Sequence, residues 1–255
     1  MSLLAFQMWE PTRQTWMAEH RFYFEQARKR LLTQFDNIEA EANKAAEEYL
    51  KQTSRFFNPD SDDVGDFYES ANDKGIEFYL LLRDMLERTR LSVIAGMYHE
   101  WDKKLREWLT KELRSWHHGD NLVRAIWKAD ISSVFDLLLV LDFDASAVTG
   151  YERLDAMRLV VNVFKHGDGT SLDQLKEKYP EFVLDPIGGD DEYRSHFLDH
   201  TNMKVTEGHL EEFSAAILGF WQAVPKEMWV KQEEVEVPMW FEKAYLKDRA
   251  EHERA

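Results

Sequence analysis

Apolar residues recur at helical spacing along most of the chain. Between Pro11 and Leu50, Trp16, Phe24, Leu31, Phe35, Ile38, Ala42, Ala45 and Tyr49 follow one another at steps of three, four, seven or eight. Such steps line one face of a helix. Glu, Gln, Ala, Lys and Arg fill the intervening positions. Pro11 suits a first helical position, where its missing N–H is not needed. The pattern predicts one long helix over 11–57 that packs on the rest of the chain. Asn58-Pro59-Asp60-Ser61-Asp62-Asp63-Val64-Gly65 then reads as a loop.

A second run extends from Asp66 to Trp116, with Gly75 as a candidate break. Leu91, Ile94, Tyr98, Trp101, Leu105, Trp108 and Leu109 form its apolar stripe. Arg88, Arg90, Asp102, Lys103, Arg106 and Lys111 are expected largely off that stripe. His117-His118-Gly119-Asp120 reads as a stop, where an imidazolium favours the helix dipole. Segments 121–129 and 131–142 also read as helices. The run Val134 to Leu141 fits a buried strand as well; the lack of a partner strand nearby favours helix.

Tyr151 to Phe164 is the next predicted helix, closed by His166-Gly167-Asp168-Gly169. A short helix from Ser171 to Tyr179 ends at Pro180. Residues 185–204 read as an acidic irregular segment. Thr206 is placed to cap a helix carrying Leu210, Phe213, Ile217, Phe220 and Trp221. Val235-Glu236-Val237 alternates like a short strand, and Met239 to Ala255 reads as an amphipathic terminal helix or tail. The expectation is an all-α, up-and-down helical bundle over 66–225. A helical extension precedes it over 1–65, and a charged C-terminal segment follows over 226–255.

Composition removes several function classes. The chain has 255 residues and no cysteine, which excludes a disulfide framework and a thiol nucleophile. No apolar run approaches ~18 residues, so no spanning helix is expected. The first residues lack a basic region followed by a long apolar stretch, which points to a cytoplasmic protein. Thirty-two basic and 48 acidic side chains give a net charge of −16, histidine counted as neutral. Residues 116–199 carry eight basic and 16 acidic groups, whereas 76–115 are nearly balanced, with eight and seven. General attraction to nucleic acid runs through basic surface, so the overall charge disfavours it and suits a basic protein partner. The balanced helix 76–115 would be the wall offered to an RNA.

The most specific segment is Arg158-Leu159-Val160-Val161-Asn162-Val163-Phe164-Lys165-His166-Gly167-Asp168-Gly169. Arg158, Asn162 and His166 stand four apart in succession, hence on one helical face at about 6 Å per step. Arginine stabilises phosphate, and histidine moves a proton near neutral pH. Those two roles suffice to cleave RNA through its own 2′-hydroxyl without a metal. Equally, the three groups can satisfy a buried polar network or close the helix end.

Arg158, Asn162 and Lys165-His166-Gly167, followed by Ser171, Leu175 and Pro180, resemble the second core helix of HEPN-domain proteins. Leu91 to Leu105 is similar to the preceding long helix of those domains, with Glu100 where they often place an acidic residue. Lys204 to Phe213 resembles their closing helix. The resemblance spans roughly 76–224 and is clearest from Arg158 to Pro180. It implies a helical bundle, often dimeric, in a family with many RNases of toxin, stress and phage-defence systems and some non-catalytic members. Under it Arg158 would hold the scissile phosphate, His166 act as acid or base, Asn162 orient His166, and Lys165 add charge. Seven residues separate Arg158 from His166, more than in active members, and Val161 stands where arginine is expected. No cofactor is implied.

Other candidates are weaker. His196 and His200 are four apart beside Asp199, with Asp190, Asp191 and Glu192 upstream. That spacing can share a metal on a helix, but the Gly-rich acidic surroundings read as a loop, and no metal site is expected. GxxxxGK[ST], GxGxxG, GxSxG and HExxH are all missing. Trp229, Trp240 and Phe241 are candidate anchors for a partner, unless buried in the same chain. The two functions left standing are a metal-independent endoribonuclease, expected as a homodimer, and a non-catalytic acidic binding protein such as an antitoxin, immunity factor or complex subunit.

Overall fold

The computed structural model describes residues 2–184, 198–231 and 236–253 and has an all-α fold with one two-stranded sheet. Its axis is helix α3, Val64–Leu113, 50 residues long and so about 75 Å at 1.5 Å per residue. Asp63 starts it by accepting the Gly65 N–H at 2.7 Å. The expected stripe from Leu91 to Leu109 is buried along the C-terminal half. Around it pack α1 (Glu10–Arg30), α6 (Tyr151–His166) and α8 (Glu207–Ala223). The N-terminal half of α3 leaves this core and runs beside α2 (Ile38–Thr53) as a two-helix arm.

Gly75 does not break α3. A Cβ there would lie 3.1 Å from Ala46 Cβ and 3.2 Å from the Ala42 carbonyl oxygen, so the glycine permits close approach of α2. The expected single helix over 11–57 is in fact two. A 3-10 turn over Leu32–Phe35 separates α1 from α2. Thr33 Oγ donates to the Lys29 carbonyl at 2.8 Å, and Asp36-Asn37 follow. Residues of this type compete for backbone hydrogen bonds and favour a break.

The ambiguous run at 134–141 is helical: α5 spans Ile131–Val140, and Asp130 caps it by accepting the Ser133 N–H at 2.7 Å. Before it lies α4 (Asp120–Lys128); after α6 comes α7 (Thr170–Lys178). Helix α6 is the most enclosed, with Leu154, Met157, Leu159, Val160, Val161 and Val163 all buried. Thr206 caps α8 as expected, in a reciprocal box with His209.

Two arginines are buried rather than solvated. Arg106, expected off the stripe, is 6% exposed. Its Nε donates to Asp102 at 3.0 and 3.1 Å, and its Nη1 donates to the Ile126 and Ala129 carbonyls at the end of α4. Arg13 donates to the Gln222 and Val224 carbonyls, at 3.0 and 2.6 Å, at the end of α8. Each satisfies carbonyls that the helix leaves open and complements the negative end of its dipole.

The sheet joins distant parts of the chain. β1 (Ser2–Gln7) pairs antiparallel with β2 (Glu227–Lys231), with an irregularity between Leu4 and Phe6. Trp108 and Trp116 hold β1 down by donating to the Gln7 and Ala5 carbonyls at 2.9 and 3.0 Å. The strand expected at 235–237 lies partly outside the described residues. Helix α9 (Met239–His252) is docked on α4 through a buried carboxylate, Asp248. Among the described residues no helix is long and apolar enough to cross a membrane.

Candidate functional site

Helix α6 carries the predicted residues, and its position between α3 and α7 determines which of them meet. Tyr151, Asp155, Arg158 and Asn162 share one face because three-, four- and seven-residue steps return to nearly the same angle. That face borders a cleft of about 620 Å³. Tyr98 and Trp101 come from α3, Ser132 and Phe135 from α5, and Gln174 and Lys178 from α7. The cleft therefore has aromatic walls, two amides and two cations, set against the carboxylates of Asp130 and Asp155.

Arg158 is not free within it. Its Nη2 and Nε donate to Asp155 Oδ1 at 2.7 and 3.0 Å. The other oxygen of Asp155 accepts the Tyr179 hydroxyl at 3.1 Å and lies 3.9 Å from Lys178 Nζ. One half-buried carboxylate thus ties together the guanidinium, a phenol and an ammonium. Burial pushes the Tyr98 hydroxyl up, and the nearby Asp102 carboxylate adds to the rise. Burial, then Asp155, does the same to Tyr179. Both stay protonated donors at neutral pH.

Lys165 and His166 do not line the cleft. They are exposed at the C-terminal end of α6, where Gly167 takes a left-handed φ of 73° to leave the helix. His166 is eight residues beyond Arg158, about 12 Å along the axis. The common face holds by phase, but Arg158 and Asn162 sit in the cleft and His166 sits beyond its rim.

Glu100 lies elsewhere. It is exposed, 3.9 Å from Lys104, at a second cavity of about 580 Å³ between α1, α3 and α8 that also includes Trp16, His20, Tyr23 and Trp221. Burial pushes the His20 imidazole down to about 4, so it is neutral at pH 7; its Nε2 lies 2.9 Å from Ser214 Oγ. Trp101 borders both cavities.

Phe241 is 5% exposed and packs into the core, so burial in the same chain replaces the partner contact suggested for it. Trp240 is half-buried over the same core; Trp229 remains exposed. Of the suggested metal pair, His196 lies outside the described residues, as do Asp190, Asp191 and Glu192. His200 Nδ1 is 3.1 Å from Asp168 Oδ1, and Asp199 caps its own short turn by accepting the Thr201 N–H. No group of three or more metal-ligating side chains occurs among the described residues.

Asp155, Tyr98, Trp101, Gln174 and Lys178 belong to the site and were not anticipated. Asp155 was within reach, being three residues before Arg158 on the same face. The others come from helices whose placement no local pattern reveals. No protein-family model matches the chain, and neither does any curated protein or solved structure.

Proposed function

We propose that this chain is a non-catalytic, acidic helical binding protein, in the manner of an antitoxin, immunity factor or complex subunit, with a basic protein as partner. One observation carries this reading: Asp155 accepts both Arg158 hydrogen bonds, at 2.7 and 3.0 Å, while His166 stands outside the cleft that Arg158 borders. A phosphate would have to displace a carboxylate to reach the guanidinium, and the histidine expected as acid or base does not stand beside it. The net charge of −16 supports a cationic partner.

A second reading keeps the HEPN-like metal-independent RNase of a stress, toxin or phage-defence system. The shared α6 face and the exposure of Lys165 and His166 favour it. In a homodimer, one copy's His166 would complement the other's Arg158.

The test is cleavage of mixed cellular RNA by wild type and His166→Ala in the presence of EDTA. The binding reading expects intact RNA with both. Cleavage by wild type that disappears in His166→Ala would replace it with the RNase reading.

A further inference from the structure

The cleft beside α6 holds polar groups that the chain itself leaves unfilled. Tyr98 lines it and is 8% exposed, yet its hydroxyl has no hydrogen-bond partner among the described residues. The same holds for the Tyr151 hydroxyl and for the side-chain amides of Asn162 and Gln174, which border the cleft from α6 and α7. The Nε1–H of Trp101, in the cleft wall, is buried without an acceptor among those residues. Asp130 uses its Oδ1 for Ser132 and Ser133, while its Oδ2 accepts nothing among them. Buried polar groups are normally paired. A concentration of unfilled ones in a concave space of about 620 Å³, the size of a small-molecule site, points to a ligand.

Charge narrows the ligand. In the lining, Arg158 and Lys178 balance Asp130 and Asp155, two cations against two carboxylates. Asp102 and Arg106, near Tyr98, pair with each other at 3.0 Å. An anion would have to break the Arg158–Asp155 pair, and it would meet the carboxylates of Asp136 and Asp144 near Tyr151. A cation brings donors only, so it would leave the Trp101 and amide N–H groups without acceptors. The unfilled groups instead match an uncharged molecule whose several oxygens both donate and accept.

The aromatic wall narrows it further. Tyr98, Trp101, Phe135 and Tyr151 stand in a row with centroids 5.7, 6.2 and 6.0 Å apart, each plane turned from the next by 49°, 59° and 56°. The wall is therefore faceted. A planar heterocycle stacks on one flat face. A saturated ring, whose C–H groups point in several directions, reaches several tilted faces at once.

From this juxtaposition we infer that the cleft binds an uncharged pyranose sugar, as a mono- or disaccharide. Its ring C–H groups rest on the aromatic row. Tyr98 and the Asn162 and Gln174 amides donate to its oxygens, and Asp130 Oδ2 and the amide oxygens accept from its hydroxyls. The Arg158–Asp155 pair stays closed. The site goes beyond the partner reading above and does not depend on it.

The test is saturation-transfer difference NMR of the full chain with glucose, galactose, mannose, N-acetylglucosamine, maltose and cellobiose. At least one sugar should give signals on its ring C–H protons. Tyr98→Phe removes only the hydroxyl and should weaken that binding about fivefold or more. Asn162→Leu should act likewise, and Gln174→Ala, at an exposed position, should weaken binding while leaving the fold untouched. Affinity should be the same at low and high ionic strength, because no charge is engaged.

Silence from every sugar overturns the proposal. Signals that persist unchanged in all three variants do so too, since they place the binding elsewhere. Tighter binding of free adenine or uracil than of any sugar would assign the cleft to a planar heterocycle instead. Affinity that collapses with added salt would mark a charged ligand such as RNA and equally sink the sugar site.

Discussion

Asp248 Oδ2 lies 2.8 Å from His117 Nε2. The same carboxylate accepts the Leu122 and Asn121 backbone N–H groups at 2.9 Å each, and the Asn121 amide at 2.7 Å. A residue from α9 thereby caps α4 and closes on the imidazole that stands just beyond α3. Burial alone would raise this carboxyl. The hydrogen bonds from His117, Leu122 and Asn121 outweigh burial and hold it at about 2, against an ordinary 3.8. A depressed carboxyl stabilises the fold at pH values above its unfolded pKa, and that stability is lost as the pH falls towards the folded value. Asp248→Asn should therefore cost about 2 kcal/mol at pH 7. Its thermal stability should also fall less steeply than wild type's between about pH 4 and pH 2. Parallel melting curves in acid would refute the assignment.

Gly119 faces the same carboxylate from the other side. A Cβ there would lie 1.9 Å from Asp248 Cγ, although the residue's φ of −96° suits any amino acid. Gly119→Ala should thus act by steric displacement and cost about 1–3 kcal/mol. Amide exchange should accelerate in α4 and α9 before it does in α6. Uniform acceleration would point to a global effect instead.

Arg106→Met removes a buried cation while leaving Asp102 and two α4 carbonyls without their donor. The expected loss is about 3 kcal/mol in urea unfolding. Arg13→Met, which strips the end of α8, should also destabilise the fold. A change below about 0.5 kcal/mol for either, as for ordinary surface sites, would show that these caps contribute little.

Arg158→Ala tests whether the cleft arginine is structural. Asp155 would be left half-buried with only Tyr179 and distant Lys178, at an expected cost of about 1–2 kcal/mol. Asp155→Ala in addition should recover part of that loss. A double-mutant cycle measures the coupling, expected at about 1 kcal/mol. Additive single effects would mean that the pair does not stabilise the fold.

Periodicity made the main helices legible. The stripe from Leu91 to Leu109, the helix begun at Tyr151 and the Thr206 cap are local patterns, and all lie where the sequence placed them. What escaped depends on residues far apart in the chain. Arg106 and Arg13 carry the charge of surface residues; only the open carbonyls of α4 and α8 make their burial favourable. Gly75 has the composition of a breaker, and Ala42 and Ala46 across the helix pair turn it into a packing position. At the site, the shared face of Arg158 and Asn162 was readable from their spacing. That His166 lies past the rim was not, because phase along a helix says nothing about where the neighbouring helices end.

The pairing of β1 with β2 sets an order of assembly. Leu3 meets Val230 across the ladder, so roughly 220 residues are synthesised between the first strand and its complement, and contacts of such long range form slowly. Phe6, which ends up beneath Trp108 and Trp116, can reach those rings once α3 has been made. Its strand, however, must keep an open edge on the ribosome until β2 emerges. Slow translation between α8 and β2 would prolong that state, and open strand edges are where nascent chains recruit one another.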